Sequence, residues 1–126
     1  MPLIAQVLAL VAAAIHVLFF YLESVTFTRP ATWARFGLRS QEQADIVRPM
    51  AFNQGFYNLF LAGGVILGLA LVAAGSVEAG RAIVLFACAC MVLAGTVLLA
   101  TSRALARSAV IQLVPPALAI LAALIF

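Results

Sequence analysis

The sequence predicts an all-α integral membrane protein, a four-helix bundle with a short interfacial helix between helices one and two. Hydrophobic residues make up 67% of the 126 positions, and the mean hydropathy is +1.22, whereas about half of a soluble domain is apolar. Only 9% of the residues are charged, too few to cover a water-exposed surface. We therefore predict a single four-helix transmembrane domain over residues 1–126.

The four predicted spans run from about 3 to 24, 50 to 74, 81 to 101 and 108 to 126. Each has the length of about 20 apolar residues that a helix needs to cross the hydrocarbon core. Residues 75–80 and 102–107 form short connections, which make the helices they join antiparallel. The first apolar run is too long for a cleaved signal peptide and lacks a basic region before it, so we interpret it as a membrane helix.

The segment between the first two spans has the features of a short helix lying in the membrane interface. Pro30 suits a first helical turn, and Trp33 and Phe36 share one face; the alternative is an irregular loop. Ser40 and Gln43 have the spacing of a capping box, which would start the second helix in water before it enters the membrane near Pro49.

Arginine supplies all seven basic residues, and its distribution predicts the orientation in the membrane. Cytoplasmic loops of membrane proteins are enriched in Lys and Arg. Six arginines lie in the connections after the first and third spans, and Arg81 alone lies on the opposite side. We therefore expect these two connections in the cytoplasm and both termini outside it. The arginines are too few and scattered for a nucleic-acid-binding surface.

Polar side chains occur within the apolar spans at matching depth. They are His16 and Glu23 on the first span, Asn53, Gln54, Tyr57 and Asn58 on the second, and Gln112 on the fourth. At a rise of 1.5 Å per residue, all seven fall in the half nearer the arginine-bearing connections. His16 and Glu23 are seven apart and share a helix face, as do Gln54 and Asn58. Placing a polar group in hydrocarbon costs free energy, and such groups mark functional sites. We therefore expect these side chains to form one pocket.

Four functions remain open for such a pocket, one of them a proton-coupled transporter, which would need a dimer because four helices are too few to enclose a path. The pocket could bind a small amphiphile or lipid-like ligand, with the polar residues meeting its head group. The polar side chains could instead hold the helices together in a structural or accessory subunit. An intramembrane acid/base enzyme of the isomerase type is a third reading, with His16 as base and Glu23 as acid.

No metal or cofactor is expected from the remaining chemistry. One histidine and one membrane carboxylate cannot complete a metal site, and Cys88 and Cys90 point about 200° apart on a helix. Gly64 and Gly68 form a Gly-X-X-X-Gly pair, which predicts close helix contact. We expect this face to pack on the first helix or to support a homo-oligomer, so the expected partners are the lipid bilayer, an amphiphilic ligand and a second copy.

The order of these polar motifs resembles a known family. The matching elements are His16 with Glu23, Phe36-Gly37-Leu38, Asn53-Gln54-Gly55-Phe56-Tyr57-Asn58, Phe60-Leu61-Ala62, Gln112 and Pro115-Pro116-Ala117. Together they resemble the small bacterial four-helix membrane proteins of domain of unknown function family 1304. The resemblance covers essentially the full length. It implies an integral membrane protein with four spans and offers no activity to carry over. We expect this protein in the bacterial inner membrane.

Overall fold

The chain folds into four long helices and one short one, with no strands. A computed structural model describes all 126 residues. The elements are α1 (Leu3–Phe20), which continues into a π-helical turn (Tyr21–Val25), α2 (Pro30–Trp33) with a 3₁₀ turn (Ala34–Phe36), α3 (Gln41–Ala73), α4 (Val77–Thr101), a second 3₁₀ turn (Arg103–Leu105) and α5 (Ala106–Ile125). The all-α prediction and the short helix between the first two spans are confirmed.

Four helical segments are long and apolar enough to cross a membrane. They are Leu3–Val25, Gln41–Ala73, Val77–Thr101 and Arg103–Ile125. These segments indicate a multi-pass membrane protein. α3 has 33 residues, or about 50 Å at 1.5 Å per residue, so it is longer than a hydrocarbon core of about 30 Å requires.

The long helices form a ring in which each packs mainly against two neighbours. α1 packs against α3 and α5, and α4 packs against the same two helices from the opposite side. Residues 26–40 and 102–105 connect the helices at one end of this ring, which we call the arginine end because Arg29, Arg35, Arg39 and Arg103 lie there. The turn between α3 and α4 and both chain termini lie at the other end.

The interior of the bundle is built from small side chains. Twelve of the seventeen buried apolar residues are alanine. Large apolar side chains point outward instead, such as Leu3 and Phe86, which are 75% and 72% exposed. Small residues allow helix backbones to approach closely, and large apolar residues on the outside suit a lipid environment.

The Gly64 and Gly68 face packs on α4 rather than on α1. A Cβ atom placed on Gly68 would lie 2.8 Å from the Gly80 carbonyl oxygen and 3.0 Å from the Val84 nitrogen, whereas one on Gly64 would lie 3.6 Å from the Ala87 Cβ. The prediction that these glycines pair the first two spans is therefore wrong. An oligomer formed through the same glycines would require a face that α4 already covers.

The helix ends show how the sequence sets their positions. The Ser40 hydroxyl accepts a hydrogen bond from the Gln43 N–H at 3.2 Å, which is the first half of the predicted capping box. The Gln43 side chain accepts from the Arg39 N–H at 3.0 Å instead of that of Ser40. α4 begins at Val77, four residues before the predicted span, with Glu78 in its first turn, where a negative charge is favourable.

The segment between α1 and α3 is folded against the start of α3. Phe27 packs with Ala44 and Ala51, and Trp33 and Phe36 cover this cluster. The Trp33 indole N–H donates to the Gln41 side chain at 3.1 Å, and the Thr32 hydroxyl donates to that of Thr26 at 3.1 Å. An irregular loop is thus excluded.

Candidate functional site

A π-helical turn ends the first span and positions Glu23. The Thr26 N–H bonds to the Tyr21 carbonyl, five residues back, at 3.0 Å. The Ser24 hydroxyl donates to the Phe52 carbonyl of α3 at 2.7 Å. The turn fits against Gly55, where a Cβ atom would overlap the Ser24 hydroxyl and lie 3.1 Å from the Glu23 Cβ. Single π-helical turns within α-helices are frequent at functional sites.

Glu23 is joined across the bundle to Asn58. The Asn58 side-chain N–H donates to a Glu23 carboxylate oxygen at 2.7 Å. Asn58 is buried on α3, and Glu23 is half-buried. A carboxylate in an apolar bundle needs such donors, because an unpaired polar group in a low-dielectric interior is costly.

This pair lies in the wall of a polar cavity of about 220 Å³ near the arginine end. Five of the seven predicted site residues line it, namely Glu23, Gln54, Tyr57, Asn58 and Gln112. The other walls come from α1, α3, α4, α5 and the two connections: Phe19, Phe36, Leu61, Ala94, Leu98, Leu105 and Ser108. Four helices thus contribute to a single space.

Several polar groups in this cavity have no partner within the chain. The only side-chain hydrogen bond formed by a cavity residue is the one between Asn58 and Glu23. Every fully buried side-chain nitrogen or oxygen in the protein has a partner, so the amides of Gln54 and Gln112 are accessible. No basic residue lines the cavity, which leaves the Glu23 carboxylate as its only ionisable acid or base besides the Tyr57 phenol.

A second, mainly apolar cavity of about 310 Å³ adjoins the first. The two share Glu23, Phe36, Gln54 and Leu105. The remaining walls of the apolar cavity are Phe27, Leu38, Val47, Met50 and Ala51. The first cavity adds Tyr57, Asn58, Ser108 and Gln112 to the shared Glu23 and Gln54, so a more polar space adjoins a more apolar one, which matches the two parts of an amphiphile.

His16 does not line either cavity, so the prediction that it shares a pocket with Glu23 is wrong. The imidazole is buried, its Nδ1–H donates to the Ala12 carbonyl at 2.8 Å, and its ring meets that of Phe19 edge-on at 6.4 Å. Residues seven apart share a face only on a regular α-helix. The π-helical turn holds an extra residue, which rotates Glu23 away from the face of His16.

Asn53 also lies outside both cavities. It is exposed, and its neighbour Gln54 faces the cavity instead, because successive residues on an α-helix point about 100° apart. The aromatic rings of Phe20, Phe52, Phe56 and Phe60 do not line the cavities but pack against one another, with ring centroids 5.1 to 6.2 Å apart.

Phe36, Leu105 and Ser108 are cavity residues that sequence reasoning missed. Phe36 and Leu105 belong to the 3₁₀ turns of the two connections, which have no helical periodicity to indicate a face. Ser108 lies one turn before Gln112 on α5, and this spacing of four was the available signal for a shared face.

These observations define a small multi-pass membrane protein with a polar cavity between its helices at one end. The chain belongs to the family described as "Protein of unknown function (DUF1304)", whose model matches residues 10–124. The predicted family is therefore confirmed. No curated protein and no solved structure matches the chain.

Proposed function

We propose that this protein binds a small amphiphile whose head group donates hydrogen bonds, an amine or an alcohol. The observation that carries the proposal is the polar cavity, which contains an acceptor carboxylate and accessible amides but no basic residue. A carboxylate or phosphate head would meet the Glu23 charge without any compensating cation. A donor head would instead add a second hydrogen bond to Glu23.

The adjoining apolar cavity supports an aliphatic tail on the ligand. Its walls are mostly hydrophobic, and burial of apolar surface contributes about 25 cal/mol per Å². The two cavities meet at Glu23 and Gln54, so a ligand can place its head beside the carboxylate and its tail against Val47 and Met50.

Titration of purified protein with dodecylamine, dodecanol and dodecanoate tests this function. Trp33 is the only tryptophan and packs on the cluster of Phe27, Ala44 and Ala51 beside the apolar cavity, so its fluorescence reports occupancy. We expect saturable changes with the amine or the alcohol and none with dodecanoate. Asn58→Ala should weaken binding by about tenfold or more, because it removes the donor that holds the Glu23 carboxylate in the cavity, and a hydrogen bond to a charged group contributes about 1.5–3 kcal/mol.

Asn53→Ala is the matched control, because Asn53 is on the same helix but outside the cavities. It should bind like the unaltered protein. Ligand binding in the cavity would be contradicted if the two variants lost affinity for the amphiphile equally, or if none of the three compounds gave a saturable fluorescence change.

A structural role is the second candidate, favoured by the hydrogen bond between Asn58 and Glu23. This bond joins the π-helical turn at the end of the first span to α3. In a purely structural protein, Asn58→Ala would lower stability by about 0.6–2 kcal/mol while no amphiphile binds. The acid/base enzyme has less support, because His16 and Glu23 do not share a cavity.

We further propose that the chain lies in a bacterial inner membrane with the arginine end in the cytoplasm and both termini outside. The six-to-one arginine distribution supports this orientation. The test uses a chain in which Cys88→Ala and Cys90→Ala remove the native thiols. A single cysteine is then placed at Thr28 or at Ser76, both of which are exposed, and the labelling of the two variants is compared in intact bacterial cells. An impermeant maleimide should label position 76 and not position 28; the reverse pattern would overturn the orientation.

A further inference from the structure

Two arginines from different elements border a cleft at the arginine end, separate from the polar cavity. Arg35 lies in the 3₁₀ turn after α2, and Arg107 lies in the first turn of α5. Together with Ala104, Ser108 and Ile111 they line a space of about 510 Å³. Of the seven arginines, only Arg81 makes a side-chain hydrogen bond within the chain. The guanidinium groups at this cleft are therefore available to a ligand.

An apolar groove continues from this cleft between α1 and α5. It has a volume of about 150 Å³ and shares Arg35, Ser108 and Ile111 with the cleft. Ile15 and Leu18 of α1 and Leu22 of the π-helical turn form much of one side of the groove. Leu18 and Ile111 are exposed on the outside of the bundle, so the groove opens toward the surrounding lipid. No acidic side chain lines either the cleft or the groove.

We propose that the cleft and groove together bind one anionic glycerophospholipid. Its phosphate lies between Arg35 and Arg107, and one acyl chain lies in the groove along Leu18, Leu22 and Ile111. This site is distinct from the amphiphile cavity, which contains a carboxylate and no arginine. The two sites are separated by a shared wall that includes Phe19, Phe36 and Ser108.

The charge of the cleft and the shape of the groove favour an anionic glycerophospholipid over other ligands. Arginine forks bind phosphate oxygens bidentately, and basic pockets between membrane helices bind lipid head groups. A free phosphate would use the arginines but not the groove, and a zwitterionic lipid would bring an ammonium group close to two guanidinium groups. The pairing of two arginines with an outward apolar groove is therefore best satisfied by an acyl chain carrying a net anionic head.

Native mass spectrometry of the full-length protein in detergent tests the site with defined lipids. The probes are phosphatidylglycerol and phosphatidylcholine with identical acyl chains, and inorganic phosphate as a competitor. We expect one phosphatidylglycerol to be retained at least about tenfold more tightly than phosphatidylcholine. Arg35→Gln and Arg107→Gln should each lower its retention about fivefold, as expected for one arginine at an anionic lipid.

Arg103→Gln is the matched control, because Arg103 is exposed in the 3₁₀ turn just before α5 but lines neither the cleft nor the groove. It should retain phosphatidylglycerol like the unaltered protein. If all three variants lost phosphatidylglycerol retention equally, the lipid would be held by net charge alone, and the proposed site would be overturned. Equal retention of the two lipids would also overturn it, as would displacement of the lipid by millimolar inorganic phosphate.

Discussion

Gly55→Ala is expected to destabilise the protein and to weaken amphiphile binding by more than tenfold. The new Cβ atom would overlap the Ser24 hydroxyl and lie 3.1 Å from the Cβ atoms of Glu23 and Ser24. Cβ atoms cannot rotate away, so the π-helical turn must shift and carry the Glu23 carboxylate away from Asn58. Overpacking typically costs about 1–3 kcal/mol. Thermal unfolding in detergent and Trp33 fluorescence titration would measure the two effects.

A second substitution separates this explanation from a general loss of folding. Ser24→Gly removes two of the three atoms that the new methyl group would meet, so it should restore part of the stability lost by Gly55→Ala. A double-mutant cycle of the two changes should then show a coupling energy beyond about 0.5 kcal/mol. Strictly additive effects would mean that Gly55 does not support the turn through this contact.

Gly68→Ala is expected to have the second large effect, on stability alone. Its Cβ atom would lie 2.7 Å from a Val84 methyl and 2.8 Å from the Gly80 carbonyl oxygen, so α3 and α4 must move apart. We expect a loss of about 1–3 kcal/mol, measured by unfolding of the purified protein in a denaturing detergent.

Two neighbouring glycines supply graded controls on the same helix. A Cβ atom on Gly63 would meet nothing within 4 Å, and one on Gly64 would make only an ordinary contact with Ala87. Gly63→Ala should therefore stabilise α3 by up to about 1 kcal/mol through helix propensity. The effect of Gly64→Ala on stability should lie between those of Gly63→Ala and Gly68→Ala. A destabilisation as large at Gly63 as at Gly68 would contradict close packing between α3 and α4.

The membrane spans were predictable because hydropathy over about 20 residues is set by composition alone. Part of the cavity was predictable for a related reason. Glu23, Asn58 and Gln112 are costly in hydrocarbon, so each had to face the bundle interior, and the structure places all three on one cavity. Helix rise gave their common depth. It could not give the cavity walls in the connections, because Phe36 and Leu105 lie in 3₁₀ turns.

The errors at His16, Asn53 and the glycine face have distinct physical causes. No residue pattern in the first span marks the π-helical turn, and this turn changes which side chains share a face after Phe20. Asn53 and Gln54 are equally polar, so composition could not decide which one faces the cavity. The partner of Gly68 depends on how four helices are arranged in a ring, and Gly-X-X-X-Gly spacing indicates a contact without naming the opposing helix.

The alanine-rich interior has a consequence for the entropy of folding. Alanine has no rotamers to lose, whereas ordering a leucine side chain costs about 0.5–1 kcal/mol and ordering a methionine up to about 2 kcal/mol. Ala9, Ala12 and Ala62 are therefore buried without this cost, and outward side chains such as Leu67 keep much of their rotational freedom. The cavity departs from this pattern, because Phe19, Leu61 and Leu98 point into it from three helices. A ligand in the cavity would restrict these three side chains, so its binding would carry an entropy cost that burial of the alanines does not.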